Sequence, residues 1–467
     1  MAKKKPKIEA AEALENVERA VEEALQSFTP APEKKSKKKL AKPVQAAPSF
    51  SATLESLMER AAEKYGDPTI VVTSEDNIKV IGPAMPSLAM EYLIQNTVWP
   101  LERVCQLVGR EGTMKSAFTF EMGRWFGKYS GGGITFETEG KYAGDLALSI
   151  VGRDKKILGH MPCQNLEDWQ SKIQYKIQEI KRTMKGEGKQ KGIGKVYPVL
   201  LVLDSVMGKL SAESINRIET DGFAGRAHPV EALKITRFFQ TLPALIRRWP
   251  IAFVFTNHLK KDIGSVGPMP GRRKAGGVAL DFFETFEFQI NRAPKFHLRS
   301  SRAGYDGVSL EFRCYKNGLG TTDRRMAVNV HWWDEMNPDT GRMQQVTRWR
   351  WHEATVMMLL RFTGQMHDLI DDVVDLRKAP GNKVFSKKLG AVDKPISFEE
   401  AGVRIHKNKE IKNELRKLLG IKVQTRFRED MDYDKQLELT KHAHAVQDAK
   451  HIEEAEEASE APAELEE

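Results

Sequence analysis

The chain has 467 residues, of which 40% are hydrophobic and 29% charged, with a formal charge of +9. Its pI is near 9.1 and its mean hydropathy is −0.47. That length predicts a large core with additions, and the charge is compatible with an anionic partner but is weak evidence for one. Cys105, Cys163 and Cys314 are far apart and odd in number, which argues against a disulfide framework or a CxxC-type zinc site. The start MAKKKPKIEA lacks an apolar signal segment, and no run of about 18 apolar residues occurs, so a soluble, cytoplasmic protein with no membrane partner is expected.

Residues 1–48 read as a flexible charged tail. Within it Leu14, Val17, Val21, Leu25 and Phe28 fall at helical spacing, ahead of the basic linker PAPEKKSKKKLAKP. Residues 49–90 form a helix/strand region in which LESLMERAAEKYG predicts an amphipathic helix closed by Gly66 and followed by TIVV. Residues 91–330 carry the core pattern. The apolar runs RVCQLVG, GGITFET, YPVLLVLDS, PIAFVFTNH and FFETFEFQI alternate with longer helical stretches. Such near-continuous runs suit strands buried on both faces, so the expected fold class is α/β with a mainly parallel central sheet flanked by helices. Residues 331–450 form a C-terminal region, expected to be rich in α-helix, with Trp332, Trp333, Trp349 and Trp351 near its start and NKEIKNELRKLLGI further on. Clustered tryptophans are more often core than base-stacking. Residues 451–467 form an acidic tail with eight glutamates after His451.

The stretch LVGREGTMKSAF has the form of a phosphate-binding loop in which Met114 stands where a second glycine is usual. A strand enters it and a helix leaves it, which is the context phosphate binding needs. Gly109, Glu111, Gly112, Thr113 and Met114 would form the cradle, Lys115 would neutralise phosphate oxygens, and Ser116 would hold Mg2+. If position 114 needs a positive φ, methionine there costs roughly 1–2 kcal/mol; with helical dihedrals it costs little. PVLLVLDS ends an apolar run in Asp204, at the carboxyl end of a strand where it reaches the same ion. GGITFETEG puts Glu137 and Glu139 at another strand end, where one of them would orient an attacking water. PIAFVFTNHLKK ends in Asn257 and His258, positions suited to sensing a γ-phosphate. After it, KKDIGSVGPMPGRRKAGG (260–277) offers Lys260, Lys261, Arg272, Arg273 and Lys274 to a nucleic-acid backbone. KRTMKGEGKQKGIGK (181–195) is equally basic but enters its strand from the far end, and reads as a solvated loop.

In this order the motifs resemble the RecA family of strand-exchange ATPases over roughly residues 51–330. MPSLAMEYLIQNTVWPLERVCQLVG, ITFETEG, LLVLDSV, FVFTNHLKKDIG, GGVALDFFETFEFQINR and CYKNGLG carry the resemblance. It implies a RecA-like P-loop ATPase core that uses ATP and Mg2+. Glu139 takes the catalytic place, and Lys316 reaches the neighbouring subunit's ATP. The expected assembly is a homo-oligomeric helical filament on single-stranded DNA that pairs with double-stranded DNA, served by a single-strand-binding or loader protein. SVMGKLSAESINR would supply a first DNA loop, and Phe282 would sit at the subunit boundary or in the core. His258 replaces the family's glutamine, Gly318 replaces a second lysine, with Arg324 or Arg325 as a stand-in, and Met114 points to the phage UvsX-like branch, hence to a host cytoplasm. A hexameric helicase with the same core, or a non-hydrolysing DNA-binding assembly protein, are the alternatives.

Overall fold

A computed structural model describes Arg60 and residues 80–152, 155–185, 197–221, 230–261, 272–274, 280–296, 306–337, 341–361 and 367–426. The expected tails at 1–48 and 451–467, the TIVV run and, apart from Arg60, the helix before it lie outside the described residues. From residue 80 onward the described chain belongs to one unit, Thr73–Glu467.

After β1 (Ile81–Gly82) and α1 (Leu88–Ile94), the chain builds its central sheet from β2 (Val104–Gly109), β3 (Gly132–Glu137), β4 (Leu158–Pro162), β5 (Val199–Asp204), β6 (Ile251–Lys261) and β8 (Phe286–Phe296), with β7 (Arg272–Lys274) pairing β6. The helices α2 (Lys115–Gly127), α3 (Gly144–Val151), α4 (Leu166–Met184), α5 (Ala212–Asp221), α6 (Val230–Ile246) and α7 (Leu280–Phe283) lie between these strands in sequence. In space the sheet runs β11-β10-β9-β8-β2-β6-β5-β3-β4. It is parallel from β8 to β4, and antiparallel through β9 (Gly307–Asn317), β10 (Arg325–Met336) and β11 (Met343–Trp349).

Strand alternation explains the two cores. Leu200 and Val202 of β5, with Ala252 and Val254 of β6, join one apolar cluster. Leu201 and Leu203, with Phe253 and Phe255, join the other. Both faces are therefore covered, which is why these strands read as continuous apolar runs.

The structure adds detail to three expectations. The central sheet continues through β10 and β11, and position 331 falls inside β10. The C-terminal region holds α8 (Trp351–Arg361), α9 (His367–Val374), α10 (Phe398–Lys407) and α11 (Lys409–Leu418), but also a three-stranded sheet of β12 (Arg377–Ala379), β13 (Lys383–Ser386) and β14 (Ala391–Ser397). Those strands are short and lysine-rich, so they show no clear alternation. The run FFETFEFQI is split, with Phe282 and Phe283 ending α7 before β8 starts. The last described pairing joins β1 to β15 (Thr425–Arg426). Residues of the C-terminal region such as Val384, Phe398, Ile405 and Leu415 belong to the same apolar cluster as β2 and β8. Trp349 and Trp351 are buried there too, their rings stacked at 5.4 Å. No helix among the described residues is long and apolar enough to cross a membrane.

Candidate functional site

The carboxyl ends of adjacent parallel strands converge on one cleft. Register pairs Gly109 of β2 with His258 of β6, and Glu137 of β3 with Asp204 of β5. Open α/β sheets bind ligands at this end. The cleft encloses about 320 Å³, and Met114, Lys115, Ser116, Glu139, Asp204 and His258 are among its walls.

The loop from β2 to α2 is tightly constrained. A Cβ at Gly109 would lie 2.5 Å from Thr113 Oγ1 and 2.7 Å from the carbonyl oxygen of Ile290, so glycine is required there. Met114 has φ 60° and ψ 30°, the left-handed conformation. The costly branch of the sequence expectation therefore applies, at roughly 1–2 kcal/mol. Its side chain packs on the main core and forms part of an adjoining cavity of about 230 Å³, together with Leu146, Arg292, Lys295 and Trp332.

Lys115 is only 6% exposed, and its Nζ donates to the carbonyls of Gly109 (3.1 Å) and Arg110 (3.0 Å). Burial lowers its pKa, while Asp204, Glu139 and Glu111 pull the other way. Ser116 Oγ donates to Asp204 Oδ2 at 2.5 Å, and Thr256 Oγ1 donates to Oδ1 at 2.5 Å. The N-terminus of α2 has no side-chain cap, so its amide groups and dipole favour an anion. These groups suit a polyphosphate, and the hydroxyl–carboxylate pair suits a hard divalent cation.

The two glutamates divide their roles. Glu137 Oε1 accepts the backbone N–H groups of Glu139 (2.6 Å) and Lys141 (3.0 Å), which fixes the turn after β3. Glu139 Oε1 accepts from Ser205 Oγ at 2.6 Å and lies 3.0 Å from His258 Nε2. Burial raises the Glu139 pKa, but hydrogen bonds from Ser205 and His258, with the charges of His258 and Lys141, bring it below the ordinary value. Glu139 is thus an ionised carboxylate held beside the cleft.

Several contributors escaped the sequence reading. Ser205 and Thr256 carry no motif signal, since one is an ordinary hydroxyl just after β5 and the other an ordinary hydroxyl within β6. Tyr142 lines the cleft and stacks on His160 at 3.8 Å. Arg292 donates to the carbonyl of Gly112 at 3.0 Å. Trp332 was legible only as one of a tryptophan cluster.

The remaining candidates lie elsewhere. Lys260 and Lys261 pair with Arg273 and Arg272 as a short hairpin of β6 and β7, with their side chains and most of 260–277 outside the described residues. Lys274 Nζ bonds to Asp281 and, at 2.7 Å, to Glu287. Lys316 is absent from the walls of this cleft and donates to the carbonyl of Asp281. The expected first DNA loop is partly helical, since α5 begins at Ala212. In the basic stretch at 181–195, Lys181–Met184 belongs to α4, and 186–195 lies outside the described residues. Phe282 is 78% exposed and so is no core residue. No protein-family model matches the chain, and no curated protein matches it.

Proposed function

We propose that the chain is a RecA-family recombinase of the phage UvsX-like type, a DNA-dependent ATPase that assembles as a helical filament on single-stranded DNA and exchanges strands. The observation that carries this reading is the meeting of Ser116, in the first turn of α2, with Asp204 at the end of β5, beside the Glu139–Ser205–His258 network. In this reading Lys115 and the amides of the 109–116 loop bind the triphosphate. Ser116 and Asp204 would hold Mg2+, which supplies charge neutralisation at the phosphates. Glu139, ionised and oriented by Ser205, positions the attacking water. His258 lies on the strand that runs on into the β6–β7 hairpin, so its contact with Glu139 links the cleft to the basic 260–277 segment. Trp332 and Tyr142 offer aromatic faces for the base.

Across the filament, Lys316 would complete a neighbour's site and exposed Phe282 would pack at the boundary. Arg325 is the better stand-in for the lysine replaced by Gly318. Arg324 is already engaged by Thr321, the carbonyl of Leu419 and the ring of Tyr92, whereas Arg325 makes a longer, half-exposed ion pair with Glu311 at 3.9 Å.

The test is ATP turnover with and without single-stranded DNA, together with electron microscopy on DNA with a slowly hydrolysed ATP analogue. Lys115→Ala and Glu139→Gln should each reduce DNA-stimulated turnover by about 10²-fold or more. Wild-type protein without turnover would overturn the ATPase reading, and closed rings in place of helical filaments would favour a helicase.

A further inference from the structure

A second polar cluster lies where α7 gives way to β8, and none of its members lines the cleft described above. Asp281, Glu284 and Glu287 each bring a carboxylate oxygen to within 4.8 Å of the others. Glu284 is only 3% exposed. The Nζ of Lys274, the last residue of β7, bonds to Asp281 and lies 2.7 Å from Glu287. Lys316 approaches from β9 but donates to the Asp281 carbonyl rather than to a carboxylate. The ammonium is hydrogen-bonded to Asp281 and Glu287, while the buried Glu284 carboxyl has no hydrogen-bond partner for either oxygen among the described residues.

A separate observation comes from β2. Gln106 is fully buried, and neither its amide nitrogen nor its amide oxygen has a hydrogen-bond partner among the described residues. Leaving a buried polar group unsatisfied costs about 1–3 kcal/mol. Gln106 is in register with Glu287 on the adjacent parallel strand, and residues in register project from the same face of a sheet. Gln106 thus projects from the face of the sheet that carries Glu287.

We propose that Asp281, Glu284, Glu287 and the amide oxygen of Gln106 form a binding site for a hard divalent cation, for which the Lys274 ammonium competes. Carboxylates with an amide carbonyl are the oxygen set that Ca2+ and Mn2+ take. A dication gives both the buried Glu284 carboxyl and the Gln106 amide oxygen a partner. Binding displaces Lys274, which terminates β7 within the basic 260–277 segment. The ion site itself does not depend on the recombinase reading; the use made of the released lysine, a further contact for a phosphate backbone, does.

The test is calorimetric titration of Ca2+ and Mn2+ into the full chain without nucleotide. An Asp204→Asn background in every sample silences the cleft's own carboxylate. One cation per chain is expected, lost in Asp281→Asn/Glu284→Gln and also in Glu284→Gln alone should the double variant fold poorly by circular dichroism. Lys274→Met should bind at least tenfold more tightly, because the competitor is gone. A parent protein that takes up no cation, equal binding in the carboxylate variants, or no tightening in Lys274→Met would each overturn the proposal. ATP turnover is not read in this titration, so its outcome is separable from that of the proposed function.

Discussion

Met114 is the residue at which the loop's sequence and its backbone conflict. Its φ of 60° is the conformation for which glycine is normally selected, yet the side chain packs against the core and cannot be treated as idle. Two truncations separate these effects. Met114→Ala and Met114→Gly both remove the packing, but only glycine relieves the left-handed strain, so Met114→Gly should be the more stable by about 1 kcal/mol in urea unfolding. Equal stabilities would mean that the loop relaxes when the side chain is cut. The sequence exposed Met114, Lys115, Ser116 and Asp204 because each occupies a fixed place in a local pattern. The strand-end pattern alone leaves Glu137 and Glu139 undivided, and only the family resemblance singles out Glu139; the physical difference lies in a turn closed by backbone bonds to Glu137 and in Ser205, which is distant in sequence. The partners of Lys274 were hidden for a similar reason: composition sees a basic segment, while the carboxylates that hold Lys274 come from α7 and β8.

Among the elements, α1 and α11 are joined by a buried ion pair that no local pattern announces. Glu91 is 1% exposed and receives two bonds of 2.6 Å from Arg416, with Lys412 3.4 Å away. Removing one partner strands a buried charge, typically at about 3–5 kcal/mol. Arg416→Ala should fall towards the lower end of that range, because Lys412 still faces Glu91; chemical denaturation measures it, and a loss below about 1 kcal/mol would show that water reaches the carboxylate. Strand β10 supplies a pH-dependent counterpart. Burial pushes the pKa of His331 down to about 4, nearby Arg350 adds to the effect, and Asp306 opposes it. The folded state thus keeps the ring neutral, whereas the unfolded chain protonates it near the ordinary 6.5. Its contribution to stability is present above pH 6.5 and is lost as pH falls towards 4. The urea midpoint should decline over that window in the wild type and decline less in His331→Gln; parallel declines would assign the acid sensitivity to other groups. The buried parallel strands were legible because both faces are apolar, whereas β4 at the sheet edge and the lysine-rich β12–β14 lack any such pattern.

For the whole molecule, charge is distributed unevenly along the chain. The total is +9, yet the last sixteen residues hold eight glutamates and no lysine or arginine, so the rest of the chain is considerably more basic than the total suggests. A tethered run of carboxylates competes with a phosphate backbone for the same cationic surface at a high effective concentration. On the proposed reading this tail lowers duplex affinity without altering the cleft. Deleting 452–467 should therefore raise binding to duplex DNA several-fold at low salt, on the order of 50 mM, and the gain should shrink towards 200 mM as counterion release weakens every phosphate contact. Fluorescence anisotropy across that salt range reads both quantities, and ATP turnover at saturating single-stranded DNA should stay unchanged because the cleft residues are untouched. A salt-independent gain would point to steric blocking in place of charge competition. Unchanged binding at every salt concentration would leave the tail no role in DNA affinity.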